Sequence, residues 1–327
     1  MAASQAGRSR DAEPYARLAF ENRPDARSGM ALGQILLQSG DFEEAAACFE
    51  KATSDPAMAV DANFRRGQAL RRLGRNEQAV AAFEAAVLGA EKHAPAWNEL
   101  GVARLDLGEP RLAVEAFRRS LDARPANAAV LSNLAAAAFR IGDVETADEA
   151  VRSALELDPD QAGALSMLGA LERSRGRLEA ARAAYERCVK IDPGSAAAWT
   201  GLAGTRQAAG DLEGAGQAYE HALELVPGYP DAVAGKAEWF EWQGQYEAGI
   251  DFLSRAGGQS RSPGIELVAG RLLRRLGRAE EARQRLEAAV PAGDLDGPLR
   301  RQFCFSLGDV CDAAGDFRAA WDWYAQG

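Results

Sequence analysis

The side chains able to do covalent or acid–base chemistry in this chain are few and scattered. His93 and His221 are its only histidines, and they lie far apart in sequence. A metal centre or a histidine-based catalytic set would have to gather partners from distant segments. No HExxH zinc motif, GxxxxGK[ST] phosphate loop or GxGxxG dinucleotide fingerprint occurs, and Gly235-Lys236 lacks the upstream glycine a phosphate loop needs. Cys48, Cys188, Cys304 and Cys311 include no CxxC pair, and they read as buried free thiols, which fits a reducing cytoplasm. No catalytic residue, metal or cofactor is expected. What remains is chemistry of recognition. Arginines could hold an acidic ligand, and amide and hydroxyl side chains could hydrogen-bond an extended peptide, wherever the fold gathers them on one face.

Whether such residues share a face depends on the elements that carry them, and a repeat sets those elements. Gly40, Gly74, Gly108, Gly142, Gly176, Gly210 and Gly244 follow one another at steps of 34 residues, and Gly277 and Gly315 continue at steps of 33 and 38. A period of this length marks stacked helix–turn–helix units. In the unit from Ala128 to Gln161, Leu131, Leu134, Ala135 and Ala138 form one helical face, and Val144, Ala147, Val151 and Ala154 form a second. Gly142 ends the first helix by taking the left-handed conformation. Pro159 closes the unit, since its ring cannot continue a helix.

Composition narrows the partners. Hydrophobic content of 47% suits a buried core, and a net charge of −10 disfavours nucleic acid, which needs a basic stripe. No stretch approaches the run of about 18 apolar residues that a membrane span needs, and residues 1–11 lack the apolar core of a secretion signal. The positive charge is mostly arginine, with Lys51, Lys92, Lys190 and Lys236 as the only lysines. With the abundant alanine, this bias fits a GC-rich bacterial genome.

Numbered from one to 34, the units share bulky apolar residues at position four, Leu-Gly at seven and eight, Ala at 20, an aromatic at 24 and Pro at 32. Trp97, Leu100, Gly101, Gly108, Ala113, Phe117 and Pro125 show the plan, as do Leu165, Leu168, Gly169, Gly176, Ala181, Tyr185 and Pro193. The pattern resembles the tetratricopeptide repeat (TPR) from about Ala26 to Gly327. That resemblance implies an all-α fold, a right-handed superhelical solenoid of antiparallel helix pairs, acting as a scaffold for a protein or peptide. The small residues at positions eight and 20 read as the points where paired helices cross.

The expected organisation is a disordered segment over 1–11, a capping helix over 12–25, units one to seven over 26–256, a flexible joint over 257–263, and units eight and nine over 264–327. The second unit lacks its closing proline, so Leu88–His93 reads as a longer connection. In TPR superhelices the first helix of each unit lines the concave face through positions two, five, six, nine, 12 and 13. Carried over, this implies a peptide groove of Asn98, Val102, Ser132, Asn133, Phe139, Ser166, Met167, Arg173, Thr200 and Gln207. Arg72 and Asp106 share position 13 in adjacent units, so a salt bridge competes with an acidic-ligand patch at Arg65, Arg71 and Arg72. Glu238 and Glu241, then Arg271, Arg274 and Arg275, then Asp309 and Asp312 read as a self-neutralising stripe. Two subtypes are disfavoured, because positions five and nine lack the Lys and Asn of the carboxylate clamp and position six carries no asparagine ladder.

The last segment, Arg301–Gly327, resembles the final repeat of bacterial proteins in which a TPR array precedes a sulfotransferase domain. It implies an alternative, that the chain is the non-catalytic repeat region of a larger sulfotransferase-type enzyme. Trp321, Trp323 and Tyr324 then read as an edge that docks a downstream domain of the same polypeptide or another copy of the chain.

Overall fold

The computed structural model describes the backbone of residues 2–256, 262–290 and 297–327, and side chains from residue 12 onward, with those of 297 and 298 left out. Among the described residues every regular element is a helix. A leading helix, α1 (Ala2–Asn22), precedes nine helix pairs. These are α2 (Ala26–Ser39) with α3 (Phe42–Ala52), α4 (Ala59–Arg72) with α5 (Asn76–Gly89), and α6 (Ala94–Asp106) with α7 (Pro110–Ala123). Next come α8 (Ala128–Arg140) with α9 (Val144–Leu157), α10 (Ala162–Ser174) with α11 (Leu178–Ile191), and α12 (Ala196–Ala208) with α13 (Leu212–Leu225). Last are α14 (Pro230–Trp242) with α15 (Tyr246–Ala256), α16 (Pro263–Arg275) with α17 (Ala279–Ala289), and α18 (Gly297–Ala313) with α19 (Phe317–Gln326).

The periodic glycines make the turns within each pair. Gly142 has φ 79°, which lets Asp143 N–H reach back to the Ala138 carbonyl at 2.9 Å and satisfy an orphan acceptor at the end of α8. The Asp143 carboxylate then accepts from Thr146 N–H at 3.1 Å and caps α9.

Close crossing of the paired helices has the steric basis the repeat suggested. A Cβ on Gly33, Gly67 or Gly101 would stand 2.8, 2.5 or 2.5 Å from the ring of Phe49, Phe83 or Phe117. Opposite them, Ala45, Ala79 and Ala113 are fully buried. Each position-eight glycine is therefore the seat of the position-24 side chain in its own unit.

The chain forms two compact units, Met1–Met167 and Leu168–Gly327, with the division inside α10. The first is built on Leu36, Phe49, Phe83 and Leu100, against which Ala16 and Phe20 of α1 pack. Arg17 of α1 also donates to Glu44 at 2.7 Å. The second is built on Val233, Leu253, Leu272, Leu286, Phe303 and Leu307.

Two boundaries differ from the sequence reading. Helix α1 begins at Ala2, within the segment expected to be disordered; Ala2, Ala3, Gln5 and Ala6 are good helix formers, and no proline intervenes before Pro14. The connection after α5 is no longer than its neighbours. Ala90 takes φ −148°, ψ 89° without a following proline, much as Arg124 before Pro125 takes φ −149°, ψ 89°. His93 secures it, with Nδ1 accepting from Ala96 N–H at 3.0 Å, while Trp97 Nε1 donates to the Glu91 carbonyl at 2.7 Å. Most of the joint expected at 257–263 lies outside the described residues; of its described part, Ser262 caps α16 and Pro263 opens it.

All four cysteines are buried, and none is in a disulfide. No helix among the described residues is long and apolar enough to cross a membrane.

Candidate functional site

In the first unit the structure joins Asn98 and Asn133, which stand on α6 and α8 in adjacent repeats. Asn133 Nδ2 donates to Asn98 Oδ1 at 3.0 Å. Each amide keeps its other half unspent, a donor on Asn98 and an acceptor on Asn133, and both residues are half-buried. Val102, Phe139, Ser166 and Met167 line the same first-helix positions, and Val102, Ser166 and Met167 are half-buried as well. Ser132 departs from expectation because it is buried. Its hydroxyl donates to the Ala128 carbonyl at 2.8 Å and to Gln161 Oε1 at 3.0 Å, and Gln161 Oε1 also accepts from Ala164 N–H at the start of α10. Ser132 fastens one repeat to the next and does not face a ligand.

The arginine patch is largely neutralised. Arg65 Nε donates to Asp61 at 3.1 Å. The bridge between units that Arg72 and Asp106 offered as an alternative is made by Arg71, which lies 3.1 Å from Glu99 and 3.8 Å from Asp106. One step along the helix turns Arg72 outward, and it is exposed.

In the second unit, first-helix residues at positions two, five, six, nine and 12 line a cleft of about 400 Å³, including Arg173, Thr200, Ala234, Glu238, Leu267 and Arg271. Of the expected groove residues here, Arg173 and Thr200 belong to this cleft, whereas Gln207 is buried away from it. Tyr185 and Tyr219 also line it. As position-24 aromatics they read in sequence as core alone. The charge stripe bordering the cleft neutralises itself in part. Arg271 donates to Glu238 at 2.6 Å and to Glu241 at 3.2 Å, while Arg274 lies 3.7 Å from Asp309.

A buried carboxylate near the end of α10 sets a pH dependence. Glu172 accepts from Arg177 Nη2 at 2.6 Å and from Arg175 Nη1 at 3.4 Å. The hydrogen bonds from Arg177 hold its carboxyl below the ordinary range against the opposing effect of burial. With the folded value depressed, the stabilisation is complete above the unfolded carboxyl pKa, near about 4.3. It is lost as pH falls through the lower folded value. Glu172→Gln should therefore flatten this part of the acid-denaturation curve, measured as thermal midpoint against pH.

The C-terminal aromatics separate. Trp321 is 73% exposed, and Phe317, one turn earlier on α19, is 70% exposed. Trp323 packs against the core of the second unit. The Tyr324 ring sits over Gly308, its hydroxyl donates to Asp309 at 2.9 Å, and burial together with Asp309 pushes its phenol up to about 12. Helical phase explains the split, since Ala320, Trp323 and Tyr324 face inward while Phe317 and Trp321 face out.

Paired helices, turn glycines at a fixed period and glycine seats for aromatic rings define a helical-repeat scaffold. The tetratricopeptide repeat profile matches residues 1–59, 30–96, 98–162, 133–196, 166–230 and 267–327, and a second profile of the same repeat matches 206–263. The chain belongs to the tetratricopeptide repeat family. Such arrays generally mediate protein interactions and are typically non-catalytic. Among solved structures, a tetratricopeptide repeat protein from Parabacteroides merdae is similar at 15% identity and a TM-score of 0.59, over 77% of this chain and 99% of that one. A thermophilic TPR protein of Thermus thermophilus is similar at 22% identity and a TM-score of 0.50, over 55% of this chain and 98% of that one. A search of curated proteins returns no significant match.

Proposed function

We propose that this chain is a non-catalytic cytoplasmic scaffold that holds an extended segment of a partner protein along the first helices of its repeats. The Asn98–Asn133 pair carries the reading. Its members hydrogen-bond across adjacent units at 3.0 Å and still offer an amide donor and a carbonyl acceptor, the two groups a peptide backbone needs. The half-buried Val102 and Met167, with Phe139, add shallow apolar contact around them. Asn98→Ala combined with Asn133→Ala should weaken capture of partners from a cell lysate about tenfold, the scale of one or two lost hydrogen bonds, while the helical circular dichroism signal stays unchanged. Equal capture by the double variant and the wild type would reject this site.

A second reading makes the array the repeat region of a larger sulfotransferase-type enzyme. It rests only on the resemblance read from the sequence of Arg301–Gly327, with the outward Phe317 and Trp321 suited to a docking edge there. The family profile matches that segment simply as tetratricopeptide repeat. Whether the reading frame continues past Gly327 into a further domain separates the two readings.

A further inference from the structure

The ring at position 24 changes its chemistry between the two compact units, and position six of the following repeat changes with it. Phe49, Phe83 and Phe117 are fully buried, and position six of the next repeat carries Arg65, Glu99 and Asn133 respectively. Tyr185 and Tyr219 are each 3% exposed, and there the next repeat carries Gly201 and Gly235. A Cβ on Gly201 would lie 2.4 Å from Tyr185 Cζ and 2.8 Å from its hydroxyl oxygen. On Gly235 it would lie 2.7 Å from both Cζ and the hydroxyl oxygen of Tyr219. Glycine at these two sites opens windows through which the phenols reach the cleft on the first-helix face.

Neither phenol hydroxyl has a hydrogen-bond partner among the described residues; the rings are buried, while the hydroxyls border the cleft, where a ligand can accept from them. Burial holds both phenols protonated, with Glu238 adding to the effect at Tyr219, so both are hydrogen-bond donors. Arg173 completes the set. Its Nη1 lies 2.8 Å from where a Gly204 Cβ would stand, and the Tyr219 hydroxyl lies 3.6 Å from the same point. No carboxylate pairs with Arg173 among the described residues, whereas Arg271 is bound to Glu238 and Glu241.

We propose that Arg173, Tyr185 and Tyr219 form a subsite for a single carboxylate of a bound peptide, admitted by the glycine windows at Gly201 and Gly235. Three donors converge on the cleft, and Arg173 supplies the positive charge beside the two phenols; Asp231 also lines the cleft. A dianionic phosphate would exceed that charge and meet Glu238. The subsite lies wholly in the second unit and does not depend on the reading of Asn98 and Asn133.

The test uses the full chain and three peptide probes: hexaglutamate blocked at both ends, hexaglutamine blocked at both ends, and hexaglutamine with a free C-terminal carboxylate. Binding is followed by NMR of tyrosine-labelled protein. Blocked hexaglutamate should shift two tyrosine resonances while blocked hexaglutamine does not, which identifies an acidic side chain as the ligand. Binding of only the free-carboxylate probe would support the same subsite with a chain terminus as its ligand. The Tyr185→Phe, Tyr219→Phe double variant should weaken the acidic probe about tenfold without lowering the thermal midpoint, since the hydroxyls it removes have no protein partner. Arg173→Gln, an exposed change, should weaken it as much and decides the matter if the double variant misfolds. Failure of both acidic probes to bind, or unchanged affinity in the variants, overturns the proposal.

Discussion

Phe117→Ala should lower the unfolding free energy by about 3–5 kcal/mol, the range for emptying a buried aromatic site. The ring is fully buried and rests on Gly101, where no side chain exists to fill the void it would leave. The fully buried Ala113 and Ala103 on the same helix pair offer no reach either. Relaxation would require α6 and α7 to close on one another, and the helices packed on each side oppose that. Because repeats depend on their neighbours for burial, the loss should also make the urea transition of the first unit less cooperative. Equilibrium unfolding followed by circular dichroism measures both effects. A cost below about 1 kcal/mol would show that the ring is not the wedge described.

The second large effect reverses a rule. Inside a helix, glycine to alanine normally stabilises by about 1 kcal/mol. Gly101→Ala should instead destabilise by about 1–3 kcal/mol, the range for overpacking, because the new Cβ would stand 2.5 Å from Phe117 Cε1. Gly264 supplies the control. The nearest side-chain atoms to a Cβ there are 3.9 and 4.0 Å away, so Gly264→Ala should stabilise by about 0.4–1 kcal/mol. Opposite signs in one chemical-denaturation series would establish that ring contact, rather than helix propensity, governs position eight. Equal signs would refute it.

The difference between these glycines lies in register: each position-eight glycine faces position 24 of its own unit, whereas the sequence marks position eight only as a small crossing residue. Helix pairing, turn glycines and small crossing residues were legible because each is a relation within one 34-residue period. What escaped the sequence lies between periods or in helical phase. Tyr185 looks like a core aromatic until Gly201, in the next repeat, is seen to leave its hydroxyl uncovered. Ser132 is polar at a groove position, but Gln161 of the following connection draws it into the interior. The partner of Asp106 is Arg71 rather than Arg72, a matter of one residue's rotation about α4. Trp321 and Trp323, two residues apart, divide between solvent and core.

Within each compact unit, the helix–helix contacts join elements one or two apart in sequence. A chain wired this locally has low contact order, and such topologies fold quickly because no distant loop must close first. It also suits birth from the N-terminus. As the chain leaves the ribosome, each helix has its final neighbours behind it or immediately following, so the array can zip up at the pace of translation. Within a unit, no unpaired apolar face need wait for a distant segment to be made.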